Sequence, residues 1–122
     1  IPKIRKFINS QQKKIVKNQL LLFRGCVIDG RDIGSYVFKN ARIKLFIEVL
    51  PEIRAKRRHK QLIEIGEKSI YPQILKEIKL RDKTDIKRKS SPLVVPKGAI
   101  VINNSESFKE TIKQINKAME KF

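Results

Sequence analysis

The stretch DGRDIGSYVF, residues 29–38, directly follows the apolar run Gly25-Cys26-Val27-Ile28, and its reading decides the rest of the chain. The sequence holds only four aspartates and nine arginines, yet two aspartates and one arginine fall within Asp29-Gly30-Arg31-Asp32. They stand at the end of what reads as a buried strand. In open α/β sheets, ligands bind beyond the carboxyl ends of the strands. Charges concentrated in such a turn make it a candidate site, and the neighbouring segments decide between a site and a plain turn.

Upstream, Ile4, Phe7, Ile8, Ile15 and Val16 share roughly one face over residues 3–17, so their spacing predicts an amphipathic helix. Leu20-Leu21-Leu22-Phe23 and Gly25-Cys26-Val27-Ile28 then suit a strand buried on both faces. Downstream, Ile43, Leu45, Ile47 and Val49 mark a second buried strand over residues 43–49. Pro51 suits a first helical turn, where its missing N–H has no partner to lose. That helix should run through Arg54, Arg57, Arg58 and Leu62 to a stop near Gly66. Ile70, Ile74 and Ile78 predict a third helix over residues 70–81. Ser90-Ser91-Pro92 and Pro96-Lys97-Gly98 bracket a loop, and residues 99–102 read as a short third strand closed by Asn103-Asn104. Ser107 with Glu110 three residues on is a capping-box pattern that starts the last helix. Its stripe of Phe108, Ile112, Ile115, Met119 and Phe122 reads as core. Strands alternating with helices imply parallel βαβ units and an α/β fold.

Composition bounds the function. At 122 residues the chain is the size of one domain, and 19 isoleucines supply most of its core material. No stretch approaches the 18 or more apolar residues of a membrane span, and nothing at the N-terminus resembles a signal peptide. The expectation is a soluble, cytoplasmic chain. Cys26 is the sole cysteine, which excludes an internal disulfide and a cysteine-based metal site, and its apolar surroundings suggest a small buried residue. With His59 the only histidine, no metal site is expected. The formal charge of +17, from 29 basic and 12 acidic residues, fits any polyanionic ligand, from nucleic acid to a nucleotide phosphate.

Twenty of the 29 basic residues are lysines spread over every segment, whereas arginine and aspartate are placed. All four aspartates lie in two clusters, Asp29 with Asp32 and Asp82 with Asp85. The arginines in, between or just after these clusters include Arg31, Arg54, Arg57, Arg58, Arg81 and Arg88. Guanidinium presents a planar fork that grips phosphate oxygens in pairs, while lysine acts as a point charge. Arg81, Asp85 and Arg88, spaced four and three apart, share one face of a continuing helix. Each motif alone reads equally as a solvated ion-paired surface. Together, at a strand end and on two following helices, they can build a phosphate-lined cleft.

The order DGRDIGSYVF, IKLFIEV, PEIRAKRRHKQL, ILKEIKLRDKTDIKRKSSPL and AIVIN resembles the C-terminal part of the bacterial cytidylate kinases. Pro2-Lys3-Ile4-Arg5 with Gln11-Gln12 is similar to the P-x-V-R…Q stretch that precedes DGRD in that family. The resemblance implies a three-layer, parallel-sheet nucleoside monophosphate kinase fold of P-loop NTPase type, incomplete at its N-terminus. Residues 1–18 would end the monophosphate-binding region, 51–90 would form the lid and its flanking helices, and 99–122 the last strand and helix. The implied activity is transfer of the γ-phosphoryl group of ATP, with Mg²⁺, to CMP or dCMP. Such transfer rests on positioning and charge neutralisation, not on a nucleophilic side chain. By the same resemblance, Arg31 and Arg88 would grip the CMP phosphate, Arg81 and Asp85 the ribose hydroxyls, and Asp32 with Arg5 the cytosine edge. Arg54, Arg57 and Arg58 would sit on the lid that closes over the phosphates and excludes water.

The Gly-rich phosphate loop with which the family begins, G-x-x-x-x-G-K-S/T, does not occur in the sequence. The expectation is therefore a C-terminal piece that needs an N-terminal half for catalysis and that exposes an apolar sheet edge. The rival reading is a basic nucleic-acid-binding module. It calls for aromatic stacking platforms, and the chain has no tryptophan and only two tyrosines, Tyr36 and Tyr71.

Overall fold

Local helical signals are realised almost everywhere; it is the strands that depart from expectation. The computed structural model describes residues 2–122. Helix α1 spans Pro2–Leu20 and is followed by a π-helical turn at Ile33–Val37, strand β1 at Leu45–Glu48 and helix α2 at Pro51–Glu64. Helix α3 at Tyr71–Lys87, strand β2 at Ile100–Asn103 and helix α4 at Phe108–Met119 complete the order.

Helix α1 forms as its period predicts, but it buries no residue, and Ile4, Phe7, Ile8 and Ile15 are exposed. It winds off in a tight turn, with the Leu22 and Phe23 N–H groups both donating to the Gln19 carbonyl (3.0 and 2.9 Å). The strand expected over residues 20–28 is not there. Leu21, Leu22 and Phe23 stand exposed and Val27 is fully open to solvent. A strand buried on both faces needs a neighbour along each edge to take its N–H and C=O groups. Among the described residues no strand pairs with this segment, and so its apolar side chains have nothing to pack on. Cys26, expected to be buried, is exposed for the same reason.

The sheet accordingly has two strands among the described residues, not the three expected. β1 and β2 run parallel, with Leu45 opposite Ile100 and Ile47 opposite Ile102. Bonds from the Ile100 N–H to the Lys44 carbonyl (2.9 Å) and from the Asn104 N–H to the Glu48 carbonyl (2.8 Å) extend the ladder at both ends. Ile102 is buried, but β1 is only half covered, with Ile47 and Glu48 exposed, so the second buried strand is corrected to a partly open one.

The crossover from β1 to β2 runs through α2 and α3. Pro51 occupies the first turn of α2, and the stop falls where glycine allows it. Gly66 takes φ +79°, its N–H meets the Ile63 carbonyl (3.0 Å) and the Glu67 N–H meets the Leu62 carbonyl (2.9 Å). That paired closure is a Schellman motif. Helix α3 runs on to Lys87, six residues past the expected end at 81, and carries the second aspartate cluster with it. The two helices pack on one another and are tied by Lys79 to Glu52 at 3.1 Å.

Helix α4 starts as predicted, with the Ser107 hydroxyl accepting from the Glu110 N–H at 3.2 Å. Its expected core stripe is corrected. Phe108, Ile112, Met119 and Phe122 are exposed, while Thr111 and Ala118 are buried and Ile115 is half-buried. The helix turns its small-residue face toward β2. There Gln114 pairs with both the N–H and the C=O of Asn103 at 2.9 Å each, and the Thr111 hydroxyl donates to Asn104 (2.8 Å).

Two substitutions check this description by urea unfolding. Ser107→Ala should cost about 1 kcal/mol through loss of the cap. Val27→Asp should leave stability within about 0.5 kcal/mol, because the segment is unpaired; a large loss would show that residues 20–28 are packed as a strand after all.

Candidate functional site

The turn that carries Arg31 and Asp32 is fixed by close packing behind it and by charge in front. Behind, the Tyr36 and Val37 N–H groups both donate to the Asp32 carbonyl (2.9 and 3.3 Å), and Phe38 donates to Ile33 (2.7 Å), which winds one π-helical turn. Ile33 and Val37 are buried. Gly34 permits a close approach, since a Cβ there would lie 3.2 Å from Pro96 Cγ and 3.5 Å from Lys44 Cδ. The turn is thus seated beside the residues that lead into the two strands, and not at the end of a strand of its own.

In front stands α3. Asp85 is buried there and accepts from Arg31 Nη1 and from Arg88 Nη1, the latter at 3.3 Å. Asp32 lies 3.2 Å from Arg5 Nη1 and 3.9 Å from Arg88 Nη2. Arg88 Nε donates to the carbonyl of Ser91, whose backbone takes the left-handed φ of 50°. The Leu93 N–H closes the loop on the Asp85 carbonyl at 2.8 Å. Five side chains from α1, the turn and the end of α3 therefore alternate in charge around one point.

Two features mark this point as more than a structural knot. Arg88 Nη2 is buried and has no hydrogen-bond acceptor. Buried donors are nearly always satisfied, so Nη2 is a donor left over for another oxygen, which reaches it only when the side chains covering it part. A hollow of about 360 Å³ shares Arg5 with the corner and is lined further by Lys6, Asn9, Lys13, Ser90 and Ser91, a basic and polar wall with no carboxylate, while Arg31, Asp32, Asp85 and Arg88 do not line it. That volume lies within the range of small-molecule sites.

Away from the corner, Arg54 forks onto Asp82, with Nη1 at 2.9 Å from Oδ1 and Nη2 on Oδ2, while its Nε reaches the Val49 carbonyl at 3.2 Å. The Asp82 carboxyl is held below its ordinary value chiefly by the hydrogen bond from Arg54. The charges of Arg54, Arg31 and Arg81 add to this and partial burial opposes it. The same bond raises Arg54.

The sequence matches the cytidylate kinase family over residues 1–121. The chain belongs to that family. It is 42% identical over 118 residues to a cytidylate kinase of Thermosipho africanus, a match covering 96% of this chain and 50% of that protein. It is 37% identical over 122 residues to the cytidylate kinase of Caldanaerobacter subterraneus subsp. tengcongensis, covering 99% of this chain and 52% of the relative. With the cytidylate kinase of Rickettsia akari the identity is 39% over 116 residues, covering 94% and 51%. The chain thus spans about half the length of the curated relatives it matches.

The residues singled out from the family resemblance separate into two groups. Arg5, Arg31, Asp32, Asp85 and Arg88 converge on one corner. Arg81 is exposed on α3 and, among the described residues, forms no ion pair. Arg57 donates to the Glu106 carbonyl (3.1 Å), just past the carboxyl end of β2, and Arg58 donates to Gln61 on its own helix (2.8 Å). Both are exposed, whereas Arg54 is engaged with Asp82. Asp82 had no role assigned from sequence. Its signal was only that all four aspartates cluster. The Ser91 carbonyl, being backbone, had none.

The depressed carboxyl of Asp82 sets an acid limb. Its contribution to stability is fully present above the ordinary value of 3.8 and is lost as pH falls below it toward the lowered folded value. Urea melts taken above and below that value should show Asp82→Asn losing less stability on acidification than the wild type. Parallel limbs would mean that the fork onto Arg54 does not persist in solution.

Proposed function

We propose that this chain forms the acceptor-nucleotide corner of a cytidylate kinase and binds CMP or dCMP. Together with the portion that its relatives carry beyond the match, it would transfer the γ-phosphoryl group of ATP to that nucleotide. The observation that carries the reading is Arg88, a guanidinium that spends Nε on Ser91 and Nη1 on Asp85 yet keeps Nη2 buried without an acceptor. An acceptor phosphate offers the missing oxygen and a second, stronger partner for Arg31. As Arg31 turns to phosphate, Asp85 is released to accept from a ribose hydroxyl. Arg5 and Asp32, 3.2 Å apart, present one donor and one acceptor group side by side, which suits a cytosine edge with an amino donor next to ring acceptors. Arg81 on α3 would reach the ribose side, and Arg54, Arg57 and Arg58 on α2 would face the phosphates on lid closure.

The attacking group is an oxygen of the acceptor phosphate, already ionised at neutral pH, so the residues here are needed for orientation and charge neutralisation and not as a base. Among the described residues no three His, Cys, Asp or Glu side chains converge to hold a metal ion. Each aspartate of the corner is already paired with arginine. Mg²⁺ would arrive with ATP, held chiefly by the nucleotide's phosphates and water.

Calorimetric titration of the chain with CMP, against AMP and UMP, tests the reading. CMP should bind selectively, and Arg31→Ala and Arg88→Ala should each weaken it by at least about tenfold. No CMP binding by a chain shown to be folded would overturn the acceptor assignment.

A further inference from the structure

The corner is continuous with a second set of charges that the acceptor reading leaves unused. Taken in spatial order, Arg54, Asp82, Arg31, Asp85, Arg88, Asp32 and Arg5 alternate in sign from α2 through α3 and the DGRD turn to α1. Four of the joins are direct contacts flanking Asp85 and Asp32, and a fifth is the fork of Arg54 on Asp82. The remaining join lies between Asp82 and Arg31. Asp82 precedes Asp85 by three residues on α3, which puts them on adjoining parts of the helix surface, Asp82 toward Arg54 of α2 and Asp85 toward Arg31 of the turn. Among the described residues Arg31 makes no direct ion pair with Asp82; it is bonded to Asp85 one helical turn further on, and its charge is a minor contributor to the lowering of the Asp82 carboxyl.

We propose that Asp82 is a positioning residue of the acceptor corner, a shared counter-charge that seats Arg54 between α3 and the end of β1 and keeps Arg31 on the α3 side of the DGRD turn. The inference deepens the acceptor-site reading and rests on it for the part that concerns CMP. Arg54 uses its whole fork, two nitrogens on Asp82 and one on the Val49 carbonyl, so its place is set by this carboxylate. Arg31 is less constrained, with 42% of its side chain exposed and one direct carboxylate partner. When a phosphate draws Arg31 from Asp85, Asp82 is the neighbouring anion that limits how far the guanidinium can swing. Without that charge, Arg31 spends more of its time in solvent and the phosphate must gather it.

The second ion pair between α2 and α3 supplies the control. Lys79 and Glu52 tie the same two helices but lie outside the alternating series, and both are about half exposed. A role limited to holding the helices together would be shared by this pair; a role in placing Arg31 would not.

The test combines ¹⁵N NMR of the arginine Nε–Hε groups with CMP calorimetry on the 122-residue chain, as wild type, Asp82→Asn, Asp82→Glu and Lys79→Gln. Asp82→Asn should shift or broaden the signals of both Arg54 and Arg31 and weaken CMP about tenfold. Lys79→Gln should move neither signal and leave CMP affinity unchanged. Asp82→Glu keeps the charge but displaces it by one methylene, so it should still shift Arg31, and it serves as the deciding variant if the asparagine protein does not fold. An unmoved Arg31 signal in a folded Asp82 variant, or an equal response in Lys79→Gln, overturns the proposal. If the wild type binds no CMP while Arg31 still answers to Asp82, the acceptor reading falls and the positioning role stands.

Discussion

The buried carboxylate of Asp85 is the constraint on which the charged side of this protein is built. A lone buried charge costs several kcal/mol, and it is tolerated only when paired and hydrogen-bonded. Arg31 and Arg88 meet that demand from two directions, one from the DGRD turn and one from the end of α3 itself. Their arrival has consequences. Arg31 brings the turn against the helix, Arg88 pulls the Ser91 carbonyl inward, and Asp32 follows as the next anion in the row. Arg5 then pairs with Asp32, which is the one long-range side-chain hydrogen bond of α1 among the described residues. A helix with no buried residue is thereby attached through the site itself.

This weight on ion pairs follows from how little the apolar residues accomplish here. Ile33, Val37, Ala55, Ile74, Ile102 and Ala118 are the buried apolar residues, a small set for a chain with 40% hydrophobic content. The stripes of α1 and α4 and the run at residues 20–27 lie open. The net charge of +17 opposes close approach of like surfaces and favours the approach of anions, which makes the corner attractive to phosphate. Lysine supplies most of that general field, while arginine supplies the directed contacts.

Helices and their ends were legible in the sequence because their causes are local. The cap at Ser107, the stop at Gly66 and the start at Pro51 each depend on a few neighbouring residues, and each is where the pattern puts it. Most of the charges that converge on the corner were legible too, through the contrast between scattered lysines and clustered arginines and aspartates. The face presented by α4 was not legible. Both a large apolar stripe and a small one with Thr111, Gln114 and Ala118 run along that helix, and only the docking against Asn103 and Asn104 selects between them.

By itself the sequence determined where the four long helices run, that strands and helices alternate in a parallel α/β arrangement, and most of the charges that gather near the DGRD turn, since periodicity, capping and residue placement are written along the chain. The tertiary structure alone decided that residues 20–28 stay unpaired, because a strand exists only with a neighbour to accept its hydrogen bonds. It alone decided which arginine answers which aspartate. Asp82 and Asp85 are nearly equivalent in sequence, yet one faces α2 and takes Arg54 while the other is buried beneath the turn and takes Arg31 and Arg88. Burial and distance separate them, and neither quantity belongs to a residue until the chain has folded around it.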